Sequence, residues 1–131
     1  MKLEVGMYVR HKPLLSSKYV KINKIKEIEE KENCLHIWLE DKDLITEKYL
    51  IKASYNIIDI LEIGDILVDD TNRKLEVLLI DNELMVRNTG LIYDNNYYLP
   101  IKSIAIKSVI THEQMEQRVY KVMSEWIKKN Y

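Results

Sequence analysis

The chain predicts a mainly β protein: two small antiparallel β-barrels in tandem, followed by a C-terminal α-helix. Three observations predict it. Leu3-Glu4-Val5-Gly6-Met7-Tyr8-Val9-Arg10 returns as Leu61-Glu62-Ile63-Gly64-Asp65-Ile66-Leu67-Val68. Each copy reads apolar residue, Glu, β-branched residue, Gly and a short apolar run. Short alternating segments separated by polar turns then fill both parts, and after Thr111 the apolar period changes from that of a strand to that of a helix. Ile51-Lys52-Ala53-Ser54 and Ile101-Lys102-Ser103-Ile104 match as well. The simplest account is a unit of about 55 residues used twice, the size of a small barrel. The expected divisions are 1–60, 61–111 and 112–131.

Gly6 and Gly64 each precede a strand-like run, where glycine permits positive φ or a close backbone approach. Residues 7–10 read as the first strand and 13–17 as a loop. Residues 19–28 read as a strand whose phase slips. Val20 and Ile22 alternate, then Ile25 and Ile28 fall out of step, which requires a bulge or bend near Asn23-Lys24. Residues 29–33 form a polar turn. Residues 34–40 alternate cleanly, with Leu35, Ile37 and Leu39 on one face and Cys34, His36, Trp38 and Glu40 on the other. A turn at 41–43 leads to a returning strand at 44–51, and 56–60 closes the first unit.

The second unit repeats this order with a strand at 65–68 and a loop at 69–72. Residues 74–80 and 83–88 flank Asp81-Asn82, a hairpin signal because both residues tolerate the left-handed φ of a type I′ turn. Thr89-Gly90 is the next turn and 94–96 a loop tip. The last strands are 97–101 and 104–110. Pro100 has no amide donor, which places it at an edge or a strand start. Thr111 can cap a helix, with Glu113 and Glu116 near its start. Met115, Val119, Val122, Met123 and Trp126 recur at helical spacing, and Lys128 and Lys129 suit its end. A helix over 112–129 is predicted, its apolar stripe packed on the barrels. The competing readings are a short helix followed by a strand over 118–122, and a single merged β-sandwich.

Composition narrows the function. Twenty basic against 21 acidic residues give a net charge of −1, which removes the crude argument for a general nucleic-acid binder. The single cysteine, Cys34, cannot form an internal disulfide and fits a reducing interior. No apolar signal core opens the chain and no apolar run approaches ~18 residues, so a cytoplasmic protein without a membrane anchor is expected.

The openings Val5-Gly6-Met7-Tyr8-Val9-Arg10 and Ile63-Gly64-Asp65-Ile66-Leu67-Val68 resemble the first strand of SH3-like barrels, ribosomal and transcription-factor KOW domains among them. A KOW unit carries further glycines after that strand. This chain has only Gly6, Gly64 and Gly90, so RNA binding is not implied. A closer resemblance is to small prophage and mobile-element proteins of low-GC Gram-positive bacteria. It is carried by residues 5–10, by Asn56-Ile57-Ile58-Asp59-Ile60-Leu61-Glu62-Ile63-Gly64-Asp65 and by Ile110-Thr111-His112-Glu113-Gln114-Met115-Glu116. It implies a phage origin and no particular activity.

Residues able to carry chemistry are few. His11, His36 and His112 lie on three separate elements, and the strand face that carries Cys34 and His36 reads as half-exposed surface. Cys34 and His36 share a strand face, but two ligands fall short of a zinc site. Asp41/Asp43 and Asp69/Asp70 sit in turns, where Asp bonds locally. No nucleotide-binding, hydrolase or metalloprotease motif is present. No catalytic residue, metal or cofactor is therefore predicted. From Val5 to Lys26 there is no acidic residue. Arg10, Lys12, Lys18, Lys21, Lys24 and Lys26, with Tyr8 and Tyr19 interleaved, form a candidate partner-binding stretch. A solvated strand face whose lysines guard an edge fits the same pattern. Trp38, Tyr93, Tyr97 and Tyr98 form a candidate aromatic surface, or fill the barrel ends. The expected function is a non-enzymatic binding protein that engages a host protein, with inhibition of a host defence nuclease, in the manner of an anti-CRISPR protein, as one form. A nucleic-acid-binding accessory factor using Arg10 to Lys26 is the alternative.

Overall fold

A computed structural model describes residues 2–14, 19–89 and 98–116 of the chain. This part is mainly β, with two five-stranded antiparallel sheets and a helical segment at 112–116. The chain divides into two units, Met1–Leu61 and Glu62–Tyr131. No helix among the described residues is long and apolar enough to cross a membrane.

The first unit holds β1 (Tyr8–His11), β2 (Lys21–Lys31), β3 (Cys34–Leu39), β4 (Leu44–Thr46) and β5 (Leu50–Ser54). They lie in the order β4-β3-β2-β1-β5. The long strand β2 serves two partners, pairing with β1 over Lys21 to Lys24 and with β3 from Ile25 onward. Its register skips between Ile25 and Glu27. Lys26 is thus the extra residue of a bulge, and Ile25 and Ile28 both meet the core although they are three positions apart. The phase slip has the predicted cause, just beyond the predicted place. Met7, Val9, Ile25, Ile37, Leu39 and Ile45 make the core, each burial stabilising by about 1.5–3 kcal/mol.

Four expectations for this unit are corrected. The sheet does not close into a barrel: β4 and β5 are its two edges. Physically, β4 has three residues and runs straight into a 3-10 turn, Glu47–Tyr49, so it lacks the length to close the sheet. That turn also splits the strand expected over 44–51. Residues 56–60 add no strand. Ile57–Ile60 is a 3-10 turn whose start is capped by the Asn56 side chain, which accepts from the Ile58 amide. The polar turn expected over 29–33 shrinks to Glu32-Asn33, at φ 53 and 63, and residues 29–31 extend β2.

The second unit holds β6 (Ile66–Asp69), β7 (Lys74–Ile80), β8 (Glu83–Asn88), β9 (Tyr98–Pro100) and β10 (Ile106–Ile110), with a 3-10 turn Ile101–Ser103 before the last strand. The order β10-β6-β7-β8-β9 is again an open sheet. Numbered within their own units, both sheets run 4-3-2-1-5. Each has a 3-10 turn between its fourth and fifth strands and an irregular register between its first and fifth. Leu67, Leu75, Val77, Val86 and Ile101 are buried here. Asp81 and Asn82 take φ 52 and 64, the predicted type I′ turn, and Ile80 pairs with Glu83 across it. Pro100 lies in the edge strand β9, as its missing donor requires.

The match between 51–54 and 101–104 is overturned as a structural correspondence. Ile51 to Ser54 lie in β5, whereas Ile101–Ser103 is the 3-10 turn, and β10 is the counterpart of β5. A shared Ile-Lys pair sets no backbone conformation; the place after the fourth strand does. The helix begins at the predicted cap. Thr111 Oγ1 accepts from the Gln114 amide at 3.3 Å, and Gln114 Oε1 accepts from the Thr111 amide at 3.0 Å. This is a reciprocal capping box. The remainder of the helix expected over 112–129, its apolar stripe and the alternative strand at 118–122 lie outside the described residues.

Candidate functional site

A Gly turn opens each unit and sets where its first strand starts. Glu4-Val5-Gly6-Met7 and Glu62-Ile63-Gly64-Asp65 both close with a backbone bond from the fourth amide to the first carbonyl. Gly6 and Gly64 have φ 92 and 94, the value a type II turn demands at its third position and glycine supplies without strain.

The described residues of the basic stretch do not form one surface. Arg10 is fully buried, and its Nη1 donates to the Ile60 carbonyl at 3.3 Å. A buried guanidinium cannot face a partner, so Arg10 is withdrawn from the partner-binding set. Lys21 pairs with His11 and Lys24 with Tyr8 in a regular register; three positions apart on one strand, the two lysines point to opposite faces. Lys24 Nζ sits 5.5 Å from the Tyr8 ring centre. Lys12 and Lys26 are exposed, Lys26 on the bulge, and Tyr19 is half-buried. Lys18 lies outside the described residues. His11 is fully buried. Its Nδ1 lies 2.9 Å from the Lys12 carbonyl, which can only accept, so Nδ1 carries the proton. Nε2 then accepts from Asn23 Nδ2 at 2.9 Å.

The aromatic set draws on both units. Tyr98 is half-buried in β9 of the second unit, Tyr93 and Tyr97 lie outside the described residues, and Trp38 belongs to the first unit. Trp38 has a different companion, Leu44, which pairs with it across β3 and β4. These side chains are 38% and 39% exposed, on the face turned away from Ile37 and Leu39. Beside them, a groove of about 400 Å³ is lined by Leu14, His36, Lys42, Asp43, Leu44, Thr46 and Tyr49. Glu27 lies opposite Trp38 on β2. Leu44 was legible in principle, being the first apolar residue after the turn that reverses the Trp38 strand.

The paired aspartates do turn chemistry. Asp41 Oδ1 accepts from the Asp43 amide at 3.0 Å. Asp69 Oδ1 accepts from the amides of Thr71 and Arg73 and from Thr71 Oγ1, and Oδ2 accepts from Arg73 Nε at 2.7 Å. Burial pushes the Asp69 carboxyl up, but the bonds from Arg73 and Thr71 together outweigh it and hold its pKa at about 2, below 3.8. Cys34 is exposed.

A second constellation was missed by sequence reasoning. His112 Nε2 lies 2.9 Å from Glu62 Oε1 and 3.0 Å from Glu113 Oε1, and Nδ1 lies 3.2 Å from Glu116 Oε1. Asp65, fully buried, accepts from the Glu62 amide through Oδ2 at 2.8 Å and from the His112 amide through Oδ1 at 2.9 Å. Burial lowers the His112 pKa, but the bonds to Glu62 and Glu116 and the charges of Glu113 and Asp65 outweigh it, so the pKa rises above 6.5. The i, i+1 and i, i+4 spacing of His112, Glu113 and Glu116 was visible in the sequence; Glu62, 50 residues earlier, was not. No protein family, curated protein or solved structure matches this chain.

Proposed function

We propose that this chain is a non-enzymatic binding protein made of two SH3-like units, and that its first unit engages an extended segment of a protein partner. The observation that carries the reading is the Trp38–Leu44 pair: two large, exposed apolar side chains beside the three-residue edge strand β4. At such an edge an added strand gains backbone hydrogen bonds and side-chain burial together. Glu27 beside Trp38 favours a segment that sets a basic residue next to its apolar one.

The SH3-like reading, and that of one unit used twice, are supported by the shared 4-3-2-1-5 order and by the 3-10 turn before each fifth strand. A phage or mobile-element source and a host protein as partner rest on the resemblance in residues 5–10, 56–65 and 110–116, and inhibition of a host defence nuclease is the specific form. A cytoplasmic location is part of the same reading. Nucleic acid ranks second as a partner. The burial of Arg10, the opposed faces of Lys21 and Lys24 and the net charge of −1 break up the cationic face among the described residues, and phosphate binding needs several cations acting together.

The test places a photo-crosslinking residue at Leu44 of the full chain in lysate from a low-GC Gram-positive host. One discrete protein adduct is expected, lost in Trp38→Ala while the circular dichroism spectrum is kept. Labelling that Trp38→Ala leaves unchanged, or an adduct that nuclease removes, overturns the reading.

A further inference from the structure

The cluster around His112 lies in the second unit and has no part in the binding role proposed for the first. Its three ligand-type atoms, on Glu62, His112 and Glu113, lie within 4.8 Å of one another. They come from two stretches of chain, the turn that opens the unit and the first turn of the helix that follows its last strand. Both stretches are held by one group. The buried Asp65 carboxylate takes the Glu62 amide on one oxygen and the His112 amide on the other. Gly64 lets them meet: a Cβ at that position stands 3.2 Å from His112 Cβ.

We propose that Glu62, His112 and Glu113 form a site for a divalent transition-metal ion of the zinc kind. The ion sits between Nε2 and the two carboxylate oxygens that lie 2.9 and 3.0 Å from it. Neutral imidazole gives its Nε2 lone pair to the ion while Nδ1–H donates to Glu116, the supporting bond that ligating histidines make almost without exception. Metal–ligand bonds of about 2.0–2.1 Å at tetrahedral angles put ligand atoms about 3.3 Å apart. The observed 2.9 and 3.0 Å about Nε2 open to that spacing by a few tenths of an ångström. The side chains of the three residues are 27–30% exposed, which leaves the fourth position to water. One imidazole nitrogen among oxygens selects zinc, cobalt, nickel or manganese over magnesium and calcium, which prefer oxygen alone.

The experiment uses the full chain stripped of metal by a chelator. Co²⁺ is titrated while its visible d–d absorption is followed, and Zn²⁺ while the histidine ring resonances are followed by NMR. The expected result is one ion per chain, with the His112 ring signals shifted and those of His36 unmoved. Glu62→Gln and Glu113→Gln should each weaken binding by more than the roughly 10–100-fold typical of losing a supporting group. Glu116→Gln should weaken it by a smaller factor. Signals of His112 that do not move at saturating Zn²⁺, or an affinity unchanged in the two ligand variants, overturn the site and leave a protonated histidine held by carboxylates. The NMR arm reads the native chain, so a variant that fails to fold does not decide the outcome.

Discussion

Met7 and Asp65 hold the same place in two turns of one shape, yet one enters an apolar core and the other binds backbone amides. Each follows a glycine at positive φ and precedes the first strand of its unit. The amides of Gly6 and Gly64 donate to Ile25 and Val77 on the second strands, whose amides return to the carbonyls of Met7 and Asp65. The turn glutamates also reach alike. Glu4 accepts from the Tyr55 hydroxyl just after β5, and Glu62 contacts His112 just after β10. What differs is the fourth side chain. Met7 is part of the apolar core, with Sδ near the Glu4 amide. Asp65 bonds the Glu62 amide with a charged oxygen and keeps its second oxygen for the first amide of the helix. One substitution in a fixed turn therefore decides whether the unit gains core volume or anchors a helix start. The ends of the first strands diverge in the same way. Asp69 organises the short loop to Arg73, whereas His11 is buried before a longer connection.

The largest effect should come from removing the two side chains compared. Met7→Ala should destabilise by about 3 kcal/mol through lost burial and a cavity, with faster amide exchange across β1 to β5. Asp65→Ala should cost at least as much, because two amides lose a charged acceptor at about 1.5–3 kcal/mol each. Its faster exchange should fall on Glu62 and on 112–116. If the His112 amide exchanges no faster in Asp65→Ala, the anchoring half of the comparison fails.

The glycines give a smaller and sharper contrast. Gly6→Ala and Gly64→Ala both force an L-residue to positive φ, at about 1–2 kcal/mol. A Cβ at Gly6 meets nothing within 4 Å, whereas one at Gly64 stands 3.2 Å from His112 Cβ. Thermal melting should show the greater loss for Gly64→Ala. Equal losses would mean that the His112 approach yields freely, and would remove the steric difference between the turns.

The smallest effect is on pH dependence, read by denaturation with a chelator present. The folded pKa of Asp69 is about 2, below its unfolded 3.8. Its contribution is complete above 3.8 and is lost as pH falls through 2. His112 has the opposite sign, with a folded pKa raised above 6.5. Its contribution is complete below 6.5 and is lost as pH rises through the folded value. His112→Gln should flatten the high-pH limb alone, and Asp69→Asn the low-pH limb alone. A high-pH limb that keeps its slope in His112→Gln would assign that dependence to another group.

Local chemistry was legible wherever neighbours in sequence decide it. Asp81-Asn82 made its type I′ turn, Gly6 and Gly64 took positive φ, Thr111 capped the helix, and Ile37 and Leu39 faced inward by alternation. Each depends on φ preferences or on a period of two, which a few adjacent residues settle. The bulge at Lys26 was signalled by the slip between Ile25 and Ile28, because a broken period has few local causes.

What only the tertiary structure decided concerns residues far apart in the chain. Arg10 looked like part of a cationic surface, but burial depends on what packs over a strand, here the turn that brings the Ile60 carbonyl to its guanidinium. The burial of His11 likewise depends on Asn23, twelve residues away, and on the Lys12 carbonyl closing around it. β4 and β5 were expected to close a barrel, but where the sheet stops depends on strand lengths set by the 3-10 turn between them. Glu62 meets His112 only because first and fifth strands are neighbours in the sheet. Side-chain period and turn type are properties of short stretches, and the sequence determined them; which face is covered, and which distant carboxylates meet, are properties of the assembled sheet.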